Sequence, residues 1–228
     1  LNILTYEEFV RLVEKYKVLP LSDFVPDYPA LTTAAAHNDW LTGTETDPWL
    51  WRTRIVHDGA AVYGKFFNDK ACFIHTDVFP LVQRMLSSDK TNDERYHDGM
   101  VSRTAYHIYN VLSEQGNIDS RHLRKVTGLD KKENKKEYDK ALVELQNHGD
   151  VIITGVSDGN GNFAWNSMCY QPSEAWLNSI GAKNDDISLE DAKSQFVTEL
   201  FNVCSDRALQ FFAKKLKLSE QVSLRRNE

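Results

Sequence analysis

The stretch TETDPWLWRTR at positions 44–54 gathers two carboxylates, two tryptophans and two arginines around a proline. A carboxylate such as Glu45 or Asp47 can activate water, or stabilise positive charge developing on a sugar, while Arg52 and Arg54 can meet anionic groups. The same letters also describe a well-anchored helix. Asp47 is a good N-cap, Pro48 suits the first helical position, and Trp51 with Ile55, or Trp49 with Val56, can pack inward. Arg52 lies one turn from Trp49 and can stack on it. Capping alone accounts for the Asp-Pro pair, so the sequence favours the structural reading over the catalytic one.

A second candidate is electrostatic. The chain of 228 residues carries a formal charge of -6, yet Arg121–Lys140 holds eight basic against four acidic residues, which gives +4 there and -10 elsewhere. The candidate phosphate contacts are Arg121, Arg124, Lys125, Lys131, Lys132, Lys135 and Lys136. Interleaved Glu133, Glu137 and Asp139 offer the alternative of a solvated helix face with intrahelical pairs.

Positioning elements follow from capping and periodicity. Thr5 and Glu8 form a capping box ahead of a helix over residues 6–17, and three prolines at 20, 26 and 29 break the chain before a short helix near Thr33–Leu41. Residues 49–57 form the helix behind Asp47-Pro48. Ala61–Phe67 and Ala71–His75 read as a hairpin turning at Asn68-Asp69, and Thr76-Asp77 caps a helix through Leu86. The polar run Ser87–Gly99 has linker composition. After it come helices over 101–115, 119–128 and 132–148, then strands over 151–156 and 163–171 joined by the turn SDGNGN. Three helices and a hairpin are the element order of a winged helix, whose third helix enters the DNA major groove. A helix pair over 188–218 resembles an incomplete helix-turn-helix. The expected fold is mainly α with small β-hairpins: an N-terminal winged-helix-like unit (1–98), a central winged helix (99–172) and a truncated helical segment (173–228).

Composition narrows the classes further. With 41% apolar and 26% charged residues and no long apolar run, the chain reads as a globular protein without a membrane span, and the capped start predicts a cytoplasmic protein without a signal peptide. Three scattered cysteines read as buried thiols, and the seven histidines include no zinc-ligand spacing. No P-loop, Gly-x-Ser-x-Gly or Cys-His nucleophile pattern is present, so neither a metal nor a cofactor is expected. The turn SDGNGN lies between strands, with no helix dipole behind it, and its tip Ser157–Asn162 lacks basic residues.

Taken together, GTETDPW at 43–49, the strand pair and DVFPLV over 61–82, the winged-helix order over 101–171 and the helix pair over 189–218 resemble the AlkZ-like, or YcaQ-like, winged-helix superfamily. A short branch described as AlkZ-related has a similar DPWLWR-like segment. The superfamily includes bacterial DNA glycosylases that unhook interstrand crosslinks. Its active members carry two glutamines separated by one residue just before a segment like Asp47-Pro48, and those amides help position the attacking water. Here Thr44, Glu45 and Thr46 stand in that place, and a hydroxyl lacks the donor and acceptor pair of an amide. The resemblance, with that motif replaced, therefore implies a binder of duplex DNA without glycosylase activity, and the absence of basic residues at the tip Ser157–Asn162 predicts that its affinity is weak and salt-dependent. The alternatives are an active glycosylase using Glu45 or Asp47 on alkylated or crosslinked DNA, and a module that binds a protein partner on the same fold.

Overall fold

The computed structural model describes residues 5–157, 167–181 and 187–226. The structure is α+β, with twelve α-helices among the described residues around one six-stranded antiparallel sheet. The order helix, strand, helix, helix, hairpin occurs twice. First, α1 (Tyr6–Tyr16), β1 (Val18–Pro20), α2 (Leu31–Ala34) and α3 (Pro48–His57) lead into β2 (Ala61–Phe67) and β3 (Lys70–His75). After α4 (Phe79–Leu86) and α5 (Asn92–His97), the order returns as α6 (Arg103–Gln115), β4 (Ile118–Asp119), α7 (Ser120–Val126), α8 (Lys135–Asn147), β5 (Val151–Val156) and β6 (Met168–Pro172). Each set pairs its first strand with its last, β1 with β3 and β4 with β6. Tyr63 opposite Ile153 joins the two hairpins into one sheet ordered β1-β3-β2-β5-β6-β4. The chain continues through α9 (Ser173–Ser179), α10 (Leu189–Phe201), α11 (Asp206–Leu216) and α12 (Ser219–Arg226).

The strands alternate faces, as a pleated backbone requires. Val18, Val62, Cys72, Ile74 and Ile152 join a core with Phe79, Phe196 and Phe212 from α4, α10 and α11. Their neighbours Leu19, Ala61, Tyr63, Phe73 and Ile153 join a second core with Phe9 of α1 and Trp51 and Ile55 of α3. A third core lies between α6, α7 and α8 and contains Ile108, Leu112, Leu123, Leu142 and Leu145. Burying one such aliphatic or aromatic side chain contributes about 1.5–3 kcal/mol.

The C-terminal end of α8 is fixed to the first hairpin. Gln146, buried, accepts from the Lys65 amide at 2.9 Å through Oε1 and donates from Nε2 to the Leu142 carbonyl at 2.9 Å. Gly64 permits the approach: a Cβ there would lie 2.8 Å from the Phe66 ring and 3.1 Å from Gln146 Oε1.

Several boundaries differ from the sequence reading. The linker-like run contains α5, capped by a Thr91–Glu94 box, and its Arg95 is 5% exposed in an ion pair of 3.0 Å with Asp150. A three-residue strand, β1, forms where prolines suggested only an extended loop, and the helix expected near Thr33–Leu41 divides into α2 and a 3-10 turn over His37–Asp39. Val78 rather than Thr76 or Asp77 precedes α4, and α12 follows the C-terminal pair. Cys72 is buried, but Cys169 and Cys204 are half-buried; all three are free thiols. The turn residues 158–162 and the first part of the strand expected over 163–171 lie outside the described residues. Among the described residues, no helix is long and apolar enough to cross a membrane.

Candidate functional site

Asp47 is 1% exposed and serves as more than an N-cap. Its Oδ1 accepts from the amides of Leu41 (3.0 Å) and Trp49 (2.9 Å), and its Oδ2 accepts from the Gly43 amide (2.9 Å). One carboxylate thus closes the 41–47 loop and starts α3. Both its oxygens are committed to the backbone.

Glu45 has a different environment. Its main-chain oxygen accepts from the Trp51 indole at 2.7 Å, and Trp51 is itself buried and stacked on Phe9 with ring centroids 5.8 Å apart. The residue is exposed, and among the described residues no hydrogen bond or ion pair engages its carboxylate. It lines a groove of about 500 Å³ together with Thr44, Arg54 and His57 on one side and Thr154, Gly155 and Val156 of β5 on the other. The β5 wall was invisible to sequence reasoning, because no local pattern connects those residues to position 45. On either side of Glu45 the hydroxyls form a chain: Thr42 Oγ1 lies 2.8 Å from Thr44 Oγ1, which lies 3.0 Å from Thr46 Oγ1.

The two arginines of α3 are held by aromatic rings. Arg52 places its guanidinium carbon 3.5 Å from the centre of the Trp49 ring, and its Nε donates to the Trp49 carbonyl at 2.9 Å. Burial lowers its pKa, against the opposing effects of Tyr63, Tyr170 and Asp47. Arg54 lies 3.8 Å from the centre of the Tyr6 ring and 3.7 Å from the Asp58 carboxylate, which also accepts from the Tyr6 hydroxyl at 2.7 Å. That hydrogen bond is the main reason the Asp58 pKa is lowered.

The basic island divides by its partners. Arg124 donates to the carbonyls of Leu129 (3.0 Å), Asp130 (3.2 Å) and Lys131 (3.1 Å), so it shapes the connection between α7 and α8. Lys135 pairs with Asp139 at 2.7 Å, and Asp139 lies one turn further along α8. Arg121, Lys125, Lys131, Lys132 and Lys136 are exposed. Glu137 accepts from Thr104, and Glu144 accepts from the Ser102 amide (2.6 Å) and hydroxyl (2.7 Å), which turns two acidic residues of α8 toward the start of α6. The buried Tyr138 hydroxyl lies 3.0 Å from Ser120 Oγ and locks α8 against α7; burial pushes its pKa up to about 12. Among the described residues, none between Arg121 and Lys140 lines the Glu45 groove.

A family model described as AlkZ related matches residues 3–217, nearly the whole chain. The chain belongs to the AlkZ-related family. No curated protein and no solved structure matches it. The AlkZ-related match spans both repeats of the helix-and-hairpin order, the 41–47 loop and most of the C-terminal helices. Among the described residues of this AlkZ-related chain, no three His, Cys, Asp or Glu side chains converge as metal ligands would.

Proposed function

We propose that this AlkZ-related protein binds duplex DNA on a tandem winged-helix fold and does not excise bases. The reading takes α3 and α8, the third helices of the two repeated sets, as the elements that approach the duplex. Lys131 and Lys132 just before α8, Lys136 in its first turn and Lys125 of α7 supply phosphate contacts that carry no sequence preference. The observation that carries the loss of chemistry is the commitment of Asp47 to three backbone amides, beside Thr44 and Thr46 hydroxyls that bond to each other. Neither threonine offers an amide to hold water, and Asp47 has no free oxygen facing a sugar.

The binding test is a salt titration of duplex affinity. Replacing Lys125, Lys131, Lys132 and Lys136 by Gln should weaken binding about equally for unrelated sequences and flatten the salt dependence, by about one unit of slope for each phosphate that a removed ammonium had neutralised. Unchanged affinity would move the interface elsewhere. No binding by the unmodified protein at low salt would favour a protein partner. A second reading, an active glycosylase, has one specific support: the unengaged Glu45 carboxylate at the groove.

A further inference from the structure

Leu41 is 74% exposed, more than any other large apolar residue described, and it adopts φ +61°. A left-handed backbone is costly for a branched side chain and persists only where the surroundings impose it. Here the imposing group is Asp47. Its Oδ1 accepts from the Leu41 amide and also from the Trp49 amide, so one buried atom fixes two exposed apolar residues relative to each other. Trp49 is 39% exposed, and Arg52 lies against its ring. The loop that carries Leu41 continues through Gly43, Thr44 and Glu45 into the rim of the groove.

The backbone of Leu41 serves the Asp47 cap, but its side chain, left in solvent, gains little from burial that a smaller or polar residue would forgo. Leu41 and Trp49, whose amides meet on one Asp47 oxygen, with a cation stacked on the indole, offer the groups that a nucleobase stack next to phosphate would engage: the apolar group can enter between bases, the ring can stack on one, and the guanidinium can meet the backbone. We propose that Leu41 and Trp49 form a base-unstacking wedge, in which Leu41 inserts at a weakened base step and Trp49 supports the displaced base. The proposal rests on the duplex-binding reading and adds to it a preference for helices that are already poorly stacked. Mismatched or abasic sites would be bound more tightly than intact duplex because their unstacking costs less.

The test uses the full chain and a duplex carrying 2-aminopurine beside a mismatch, with fluorescence read at saturating protein so that affinity losses do not alter the plateau. The unmodified protein should raise the plateau, and Leu41→Ala and Trp49→Ala should each lower that rise by roughly threefold or more. Leu41→Gly provides the folding control: it accommodates the left-handed backbone, so it should keep or raise the melting temperature while losing the fluorescence rise. Saturable binding with no rise, or with an equal rise in the Leu41 variants, would overturn the wedge and leave the DNA reading standing. Absence of saturable binding at low salt would overturn the DNA reading and the wedge with it.

Discussion

The indole nitrogen of Trp51 donates to the main-chain oxygen of Glu45 at 2.7 Å, and this one bond links a buried core residue to the exposed carboxylate at the groove. Trp51 stacks on Phe9 of α1, so the position of Glu45 is set by the packing of α1 against α3. Two carboxylates two residues apart consequently have opposite fates. Asp47 is consumed by the backbone, whereas Glu45 is held only through its own main chain.

Trp51→Phe keeps a ring against Phe9 but removes the donor. The expected cost is about 1–3 kcal/mol in urea unfolding, with faster amide exchange over residues 44–46. Unaltered exchange there would mean that Asp47 alone holds the loop.

Asp47→Asn retains one acceptor oxygen and replaces the other with a donor that faces an amide hydrogen. Leu41, Gly43 and Trp49 cannot all remain satisfied, and the loss of stability should be about 1–3 kcal/mol. The melting transition measures this directly; an unchanged transition would show that water satisfies the loop equally well.

Arg95 and Asp150 form a buried pair, and burial raises the Asp150 carboxyl from 3.8 to about 6, with Arg95 opposing the shift. His148 nearby is lowered by burial and by Arg95, and Glu144 is the other charge that bears on Asp150. Because the folded-state pKa of Asp150 is the higher one, its contribution to stability is full below about pH 4 and lost as pH rises through about 6. Arg95 limits that loss by stabilising the ionised form. Arg95→Ala should therefore cost more near neutral pH, where Asp150 must take up a proton or stay ionised without its partner, than near pH 5, where the carboxyl is already largely protonated. Denaturant midpoints at both pH values test this, and an equal cost at both would contradict the coupling.

What the sequence disclosed was mainly local. Thr5 with Glu8, and Asp47 with Pro48, announced α1 and α3 because a cap and its helix lie within four residues of each other. The hairpin over 61–75 and the core positions Ile108, Leu142 and Leu145 followed from periodicity for the same reason. β1 escaped because Val18, Leu19 and Pro20 are all buried and show no alternation; Pro20 is tolerated there because β1 lies at the sheet edge. α5 read as a linker because the residue it buries is Arg95, whose partner Asp150 lies far away in the chain. At the candidate site the residue types were legible, but the division of roles between Glu45 and Asp47, and the wall supplied by Thr154–Val156, depended on tertiary structure.

The central claim, a DNA reader that does not cut the glycosidic bond, is tested most directly by a single-turnover time course with protein in excess over alkylated or crosslinked duplex. The predicted result is a flat trace for base release under conditions where the duplex is bound. Base release by the unmodified protein that disappears in Glu45→Gln would contradict the account and identify Glu45 as the group that activates water.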